Sequence, residues 1–346
     1  VGADAVEGGW DADPECEQQE KARLPGPETC PKQVRGWERD GDSREDCRVA
    51  RREPPLAERG EARGGHSRHY VSQQKIPRGP HATGFSPRRR RTGMETVADL
   101  VAAGRDRDGV ALSVPGRVTD YRYNDVCTNV WKTGNLLRHY GLRAGAAATV
   151  AVGPKQPDGR ETLGWLDTVD PLLGLLGAAQ LGATLDLDPA TDTVVEGRVF
   201  LLPDGWVDEY EAGPGTSRVA YGGPPEDSGG VHFERERWSE NPMQPPDPPG
   251  AADELLAGYT HGDLVGAAQR VADEYGLGEE DRVALAAPLA GSDRSVAGTL
   301  AGGILAPMLA GAAVVATGPA VDADADDVEA SLVVGVAADL EPGAVL

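Results

Sequence analysis

A chain of 346 residues with 34 Lys+Arg against 56 Asp+Glu carries a formal net charge of -22. That balance excludes the usual nucleic-acid and anionic-membrane binders, which need a basic stripe to displace counterions. The acidity is one-sided: residues 1–93 hold 18 Lys+Arg against 16 Asp+Glu, and residues 94–346 hold 16 against 40, with Lys132 and Lys155 the only lysines. A chain dispersed by its own charge fits a salt-rich cytoplasm, so a halophilic, cytoplasmic protein is expected.

Residues 1–93 show no helical or strand period, and their apolar residues stand singly among charges, Gly and Pro. Such a stretch buries too little surface to offset its ordering entropy and reads as a disordered arm. It ends in SPRRRRTG, a solvated basic run, and has no apolar core of a signal peptide. The patterned protein begins at Met94, where the native product is expected to start. Cys16, Cys30, Cys47 and Cys127 match neither a zinc site nor a disulfide framework by spacing, so no metal is expected.

From Met94 the pattern is α/β. METVADLVAAG reads as a short amphipathic helix and GVALSV as a strand. Residues 123–140 place Val126, Val130, Leu137 and Tyr140 at helical spacing, with Asp125 near the positive end of the helix dipole. ATVAV is a buried strand, DPLLGLLGAAQLG a helix with Pro171 in its first turn, and ATLDLDP a strand stopped by proline. RVFLLP and SRVAY are further strands.

Residues 222–258 read mostly as loop, with PMQPPDPPG the clearest linker. A new unit follows. Leu264, Ala267, Ala268, Val271, Ala272 and Tyr275 share a helical face, and RVALAAP is a strand. A helix near 294–310 and the strands AAVVAT and ASLVVGV complete the chain. The uncharged run between Arg294 and Asp322 has the length of a membrane span. Five glycines and Pro307 interrupt it, and it reads instead as a buried helix and strand, with no membrane partner expected.

The two units share an order of parts. Tyr121, Asp125, YGL at 140–142 and LGATLDLDP at 181–189 answer Tyr259, Asp263, YGL at 275–277 and AGAAVVATGP at 310–319. The Asp-to-Tyr spacing is 15 in one copy and 12 in the other, a difference close to one helical turn, which keeps the buried face. An internal repeat is expected. The boundaries follow: 1–93 arm, 94–205 first α/β subdomain, 206–258 degenerate loop and linker, 259–346 second α/β subdomain, truncated.

Standard catalytic signatures are missing: no Lys-Ser/Thr phosphate loop, dinucleotide fingerprint, nucleophile elbow or paired-histidine zinc motif occurs. His139, His232 and His261 read as surface or capping residues. The order of parts does, however, resemble a known family. Tyr-x-x-x-Asp opening a helix, Tyr-Gly-Leu, a valine strand, then a small-residue helix ending in Gly-Ala and a strand is similar to the N-terminal region of the adenylate-forming superfamily, which includes the acyl-CoA synthetases. The resemblance covers residues 94–335 and implies two tandem similar α/β subdomains.

The resemblance also implies a loop rich in Ser, Thr and Gly, ending in Pro-Lys-Gly, after the strand RVAY. This chain has GGPPEDSGGVHF there. Gly222, Gly223, Ser228, Gly229 and Gly230 echo the loop, but its threonines and lysine are absent. Pro224 and Pro225 have no N–H, and Glu226 and Asp227 put negative charge where phosphates would lie. One carboxylate about 4 Å from one phosphate charge costs about 4 kcal/mol at an effective dielectric near 20, against about 1 kcal/mol for a neutral hydrogen bond. The aromatic-Gly-x-Thr-Glu motif and the small C-terminal domain that the resemblance implies have no counterpart in these residues.

The expected function is therefore an acyl-CoA synthetase-like protein without catalytic residues or cofactor, binding an acyl or CoA-like ligand or a protein partner that supplies the C-terminal part. The alternative is an acid–CoA ligase using ATP and Mg²⁺, completed by a second polypeptide. The ligand-binding candidates are Tyr221, Gly222, Gly223, Ser228, Gly229 and His232 at the loop, with Thr260 and His261 from the family's Thr-His pair.

Overall fold

The computed structural model describes residues 93–117, 120–226, 229–318, 330–335 and 338–346. The arm expected over 1–93, with Cys16, Cys30 and Cys47, lies outside the described residues up to position 92, as do Asp227 and Ser228.

The chain opens with α1 (Val97–Gly104). Thr96 accepts from Asp99 N at 3.2 Å while the Asp99 carboxylate accepts from Thr96 N at 2.9 Å, a capping box that satisfies two orphan donors at once. The hairpin β1 (Val110–Ser113) and β2 (Tyr121–Arg122) runs straight into α2 (Tyr123–His139), which buries Val126, Val130 and Leu137 as its spacing requires. β3 (Ala147–Val150), α3 (Asp170–Ala179) and β4 (Thr184–Asp186) follow, then β5 (Val199–Pro203) and β6 (Ser217–Tyr221).

The segment read from sequence as loop and linker contributes more than expected. Residues 222–258 hold β7 (Val231–His232), α4 (Phe233–Ser239) and β8 (Glu254–Leu256). These elements are short, and their charge density hides any period. β9 (Tyr259–Thr260) then leads into α5 (His261–Glu274), which carries a second capping box between Thr260 and Asp263. Tyr275 ends this helix, and its exposed ring hands a hydroxyl to Asp339 O at 3.1 Å instead of joining the core. β10 (Arg282–Ala286), α6 (Asp293–Thr299), a π-helical stretch over Leu300–Leu305, α7 (Ala306–Ala310), β11 (Ala313–Ala316) and β12 (Leu332–Gly335) complete the order.

Two sheets result, ordered β12-β10-β11-β1-β2 and β7-β6-β5-β3-β4-β8-β9. Among the described residues only the hairpins β1-β2 and β8-β9 are antiparallel, and every other ladder is parallel, with registers such as Val283↔Leu332, Thr149↔Phe200 and Phe200↔Arg218. Parallel strands need crossovers, which the helices supply, and burial on both faces explains their continuous apolar runs. Each hairpin extends the sheet built mainly from the other half of the chain: β1 pairs with β11, and β8 with β4. The hairpins thus cross the boundaries read from sequence.

The uncharged run after Arg294 is the buried helix and strand that its glycines and proline imply. No helix among the described residues is long and apolar enough to cross a membrane. Its small residues are used for close approach: a Cβ on Gly298 would overlap the carbonyl of Pro342. Gly298→Ala is expected to cost about 2 kcal/mol by overpacking, read as a lowered urea midpoint; an unchanged midpoint would mean that the turn over Pro342–Ala344 yields freely.

Candidate functional site at the carboxyl ends of the parallel strands

Open α/β sheets hold ligands in the crevice outside the carboxyl ends of their strands. In the seven-stranded sheet that edge is formed where β3 leaves toward Gly153, β5 toward Asp204 and β6 toward Gly222. The start of α3 and the short β7–α4 segment stand against it, tied down by charged groups.

The anchor is a buried ion pair. Arg237 Nη2 lies 3.3 Å from Asp170 Oδ1, with side-chain exposures of only 14% and 9%. Thr168 Oγ1 donates to the other carboxylate oxygen at 3.0 Å, and the guanidinium carbon stands 4.8 Å from the centre of the buried Phe233 ring. Burial pushes the Asp170 carboxyl up and the Arg237 guanidinium down, and each partner opposes the shift of the other.

Beside the pair, Glu234 Oε1 accepts from Gly222 N at 2.8 Å. Its Oε2 is buried with no hydrogen-bond partner among the described residues and lies 3.4 Å from His232 Nε2. Gly222 is held at φ +98°, and a Cβ there would lie 2.5 Å from the carbonyl oxygen of Lys155; only glycine permits this approach. Asp204 faces the same loop. A Cβ on Gly223 would lie 3.2 Å from its Oδ2, and burial, then Glu226, raise its carboxyl while His232 opposes them.

Tyr221 is a structural pin. Its ring is fully buried, and its hydroxyl accepts from Gly153 N at 3.0 Å with Ala151 O and Gly153 O at 3.1 and 2.9 Å as acceptors. Burial raises its pKa well above the ordinary value. The hydroxyl therefore locks β6 to the exit of β3 and has no capacity left for a ligand. Gly229 sits in an exposed turn.

Tyr221, Gly222, Gly223 and His232 thus come together, but Thr260 and His261 do not join them. They belong to β9 and α5 at the far edge of the sheet, five strand spacings from β6, or about 24 Å. Thr260 caps α5. His261, expected at the surface or as a cap, is fully buried: Nδ1 accepts from Val97 N at 3.3 Å, and burial lowers its pKa to about 4. A histidine at the first position of a helix reads as exposed in sequence; here α1 packs over it.

A cavity of about 1180 Å³ lies elsewhere, along α5 between Val265, Gln269, Leu277 and Leu309. None of the candidate loop residues lines it. Among the described residues no group of three or more His, Cys, Asp or Glu is placed to hold a metal ion.

No family model and no curated protein sequence matches the chain. Solved structures do. An anthranilate CoA ligase, AuaEII, in complex with anthranoyl-AMP is 15% identical with a TM-score of 0.50, covering 69% of this chain and 49% of that one. The apo form of MatB from Rhodopseudomonas palustris is 14% identical with the same score and the same coverage. The fold is that of the acyl-CoA ligase N-terminal region. The chain spans about half the length of these solved structures.

Within this ligase fold, the residues that sequence reasoning missed are Asp170, Glu234 and Arg237. The missed signal was FERERW, where Glu234 and Arg237 are three apart and share a helix face. Treating 222–258 as mostly loop left that spacing unused.

Proposed function

We propose that this chain is an acyl-CoA ligase-like protein that does not activate carboxylic acids with ATP. It would act by binding an acyl or CoA-like ligand, or a protein partner that carries a C-terminal part, in a salt-rich cytoplasm. One observation carries the reading: the end of β6 does not fit a polyphosphate. Pro224 and Pro225 lack N–H groups, Glu226 adds charge of the wrong sign, and the Gly222 N–H is already engaged by Glu234. These residues offer Mg-ATP no cradle, so no step through it is assigned to them.

A second reading, an ATP-dependent acid–CoA ligase completed by a second polypeptide, draws support from the likeness to a ligase solved with an acyl-adenylate. ATP–pyrophosphate exchange over a panel of carboxylic acids in molar KCl separates the two. The chain alone is expected to stay at background; exchange above it would overturn the first reading.

The fold is further proposed to descend from an internal duplication. In support, β3-β4 followed by the hairpin β8-β9 has the same local order as β10-β11 followed by β1-β2. Superposition of the two units should align α2 on α5 and β3 on β10; an alignment achieved only in another strand order would refute it.

A further inference from the structure

We infer that the cavity of about 1180 Å³ along α5 is a binding site for a linear polyamine, a chain of methylenes carrying ammonium groups at intervals. This site is separate from that of the acyl or CoA-like ligand proposed above, since none of the loop residues at the end of β6 lines it.

The shape of the cavity comes from α5. Gly262, Val265, Gly266, Gln269 and Ala272 recur every three or four residues on one stripe of the helix and form the floor. From Gly262 to Asp273 that floor runs about 16 Å at the helical rise. One glycine in it has no packing reason. A Cβ on Gly266 would meet nothing nearer than Arg270 Nη1 at 3.9 Å, and its φ is not positive. Glycine weakens a helix interior, and its return here is an open floor.

Carboxylates stand at both ends of that floor. Val97 N donates to His261 Nδ1, which sets Glu95 at the Gly262 end. Asp273 lies in the last turn of α5, and Glu279 packs where a Cβ on Gly311 would touch its Cγ at 3.0 Å. Among the described residues none of the three carboxylates forms an ion pair. Arg107 does not neutralise them, because its guanidinium is spent on the carbonyls of Met308 and Leu309. That contact also shows what the far end accepts, since the last carbonyls of a helix favour positive charge.

Ammonium groups at the ends and methylenes over Val265, Ala272 and Leu309 match this pattern, and an anion meets charge of the wrong sign. Gln269 offers an amide oxygen midway to an internal ammonium. Each exposed ion pair is worth little alone. A ligand gains only by engaging both ends in one molecule, so a long polyamine is selected over a short diamine.

Spermine titrated calorimetrically into the full chain in molar KCl, which screens loose attraction to the acidic surface, is expected to show one saturable site. Putrescine, with a single four-carbon span, should bind at least tenfold more weakly. Gly266→Leu fills the floor and leaves every charge in place; it should abolish the site while its Tm stays at or above that of the native chain. Asp273→Asn with Glu279→Gln should weaken spermine at least tenfold. Asp192→Asn with Glu196→Gln, the same charge change at exposed positions outside the cavity, should leave it unchanged. No saturable site in the native chain, equal losses in the two double variants, or undiminished binding to a folded Gly266→Leu would overturn the inference. If Gly266→Leu does not fold, the comparison of the double variants decides alone. None of these readouts depends on ATP–pyrophosphate exchange.

Discussion

Arg237→Ala is expected to cost about 3–5 kcal/mol of folding stability, the usual result of removing one partner of a buried ion pair. The large value comes from what is left behind. Asp170 is 9% exposed at its side chain, and without the guanidinium it keeps the Thr168 hydroxyl as a hydrogen-bond donor while Glu234 repels it. Its carboxyl is already raised by burial with Arg237 present, so losing the guanidinium raises it further. The sign of the pH dependence follows: the deficit of the variant is largest at neutral pH and shrinks as pH falls and the orphaned carboxylate takes up a proton. Replacing both residues, as Asp170→Asn with Arg237→Met, should cost less than Arg237→Ala alone, because no uncompensated charge remains. Urea unfolding in molar KCl at pH 7 and pH 5 measures all of this. A single-variant cost below about 1 kcal/mol would mean that the pair does not hold α4 against the sheet edge.

That ion pair also marks where sequence reading stopped. The central strands of the parallel ladders were legible because strands buried on both faces must be apolar throughout: VFLLP, RVALA and AVVA leave no other assignment, whereas the short, less buried β7 did not announce itself. Helices α2 and α5 were legible because each exposes one charged face, so the 3.6-residue period survives. The pairing partners were not. Nothing in GVALS announces that β1 will join β11 across some 200 residues, because hairpin and parallel edge pairings leave the same alternation in the strand. The candidate loop was half legible. Pro224, Pro225 and Glu226 disclose a poor phosphate cradle by covalent structure and charge alone. That Gly222 gives its N–H to Glu234, and that Thr260 lies at the opposite edge of the sheet from Tyr221, are facts of register and topology.

His261 supplies a second large effect, and one with a definite sign. It is fully buried where α1 meets the start of α5, with Nδ1 accepting from Val97 N, and its pKa falls from 6.5 to about 4 because burial disfavours the imidazolium more than Asp253 and Asp99 favour it. In the unfolded chain the ring regains its ordinary value, so between pH 6.5 and pH 4 the unfolded state binds more protons than the folded one. The histidine therefore costs nothing above about pH 6.5, and stability is lost as pH falls through that window, to a limit of about 3 kcal/mol. Protonation of Nδ1 would also remove the acceptor that Val97 N uses. His261→Gln lacks the titration and can keep an acceptor for that N–H. Between pH 7 and pH 5 the native chain should lose about 2 kcal/mol more than this variant, measured as the difference in urea unfolding free energy in molar KCl. Equal losses in the two proteins would show that acid sensitivity lies in the carboxylates alone and that His261 opens to solvent before it charges.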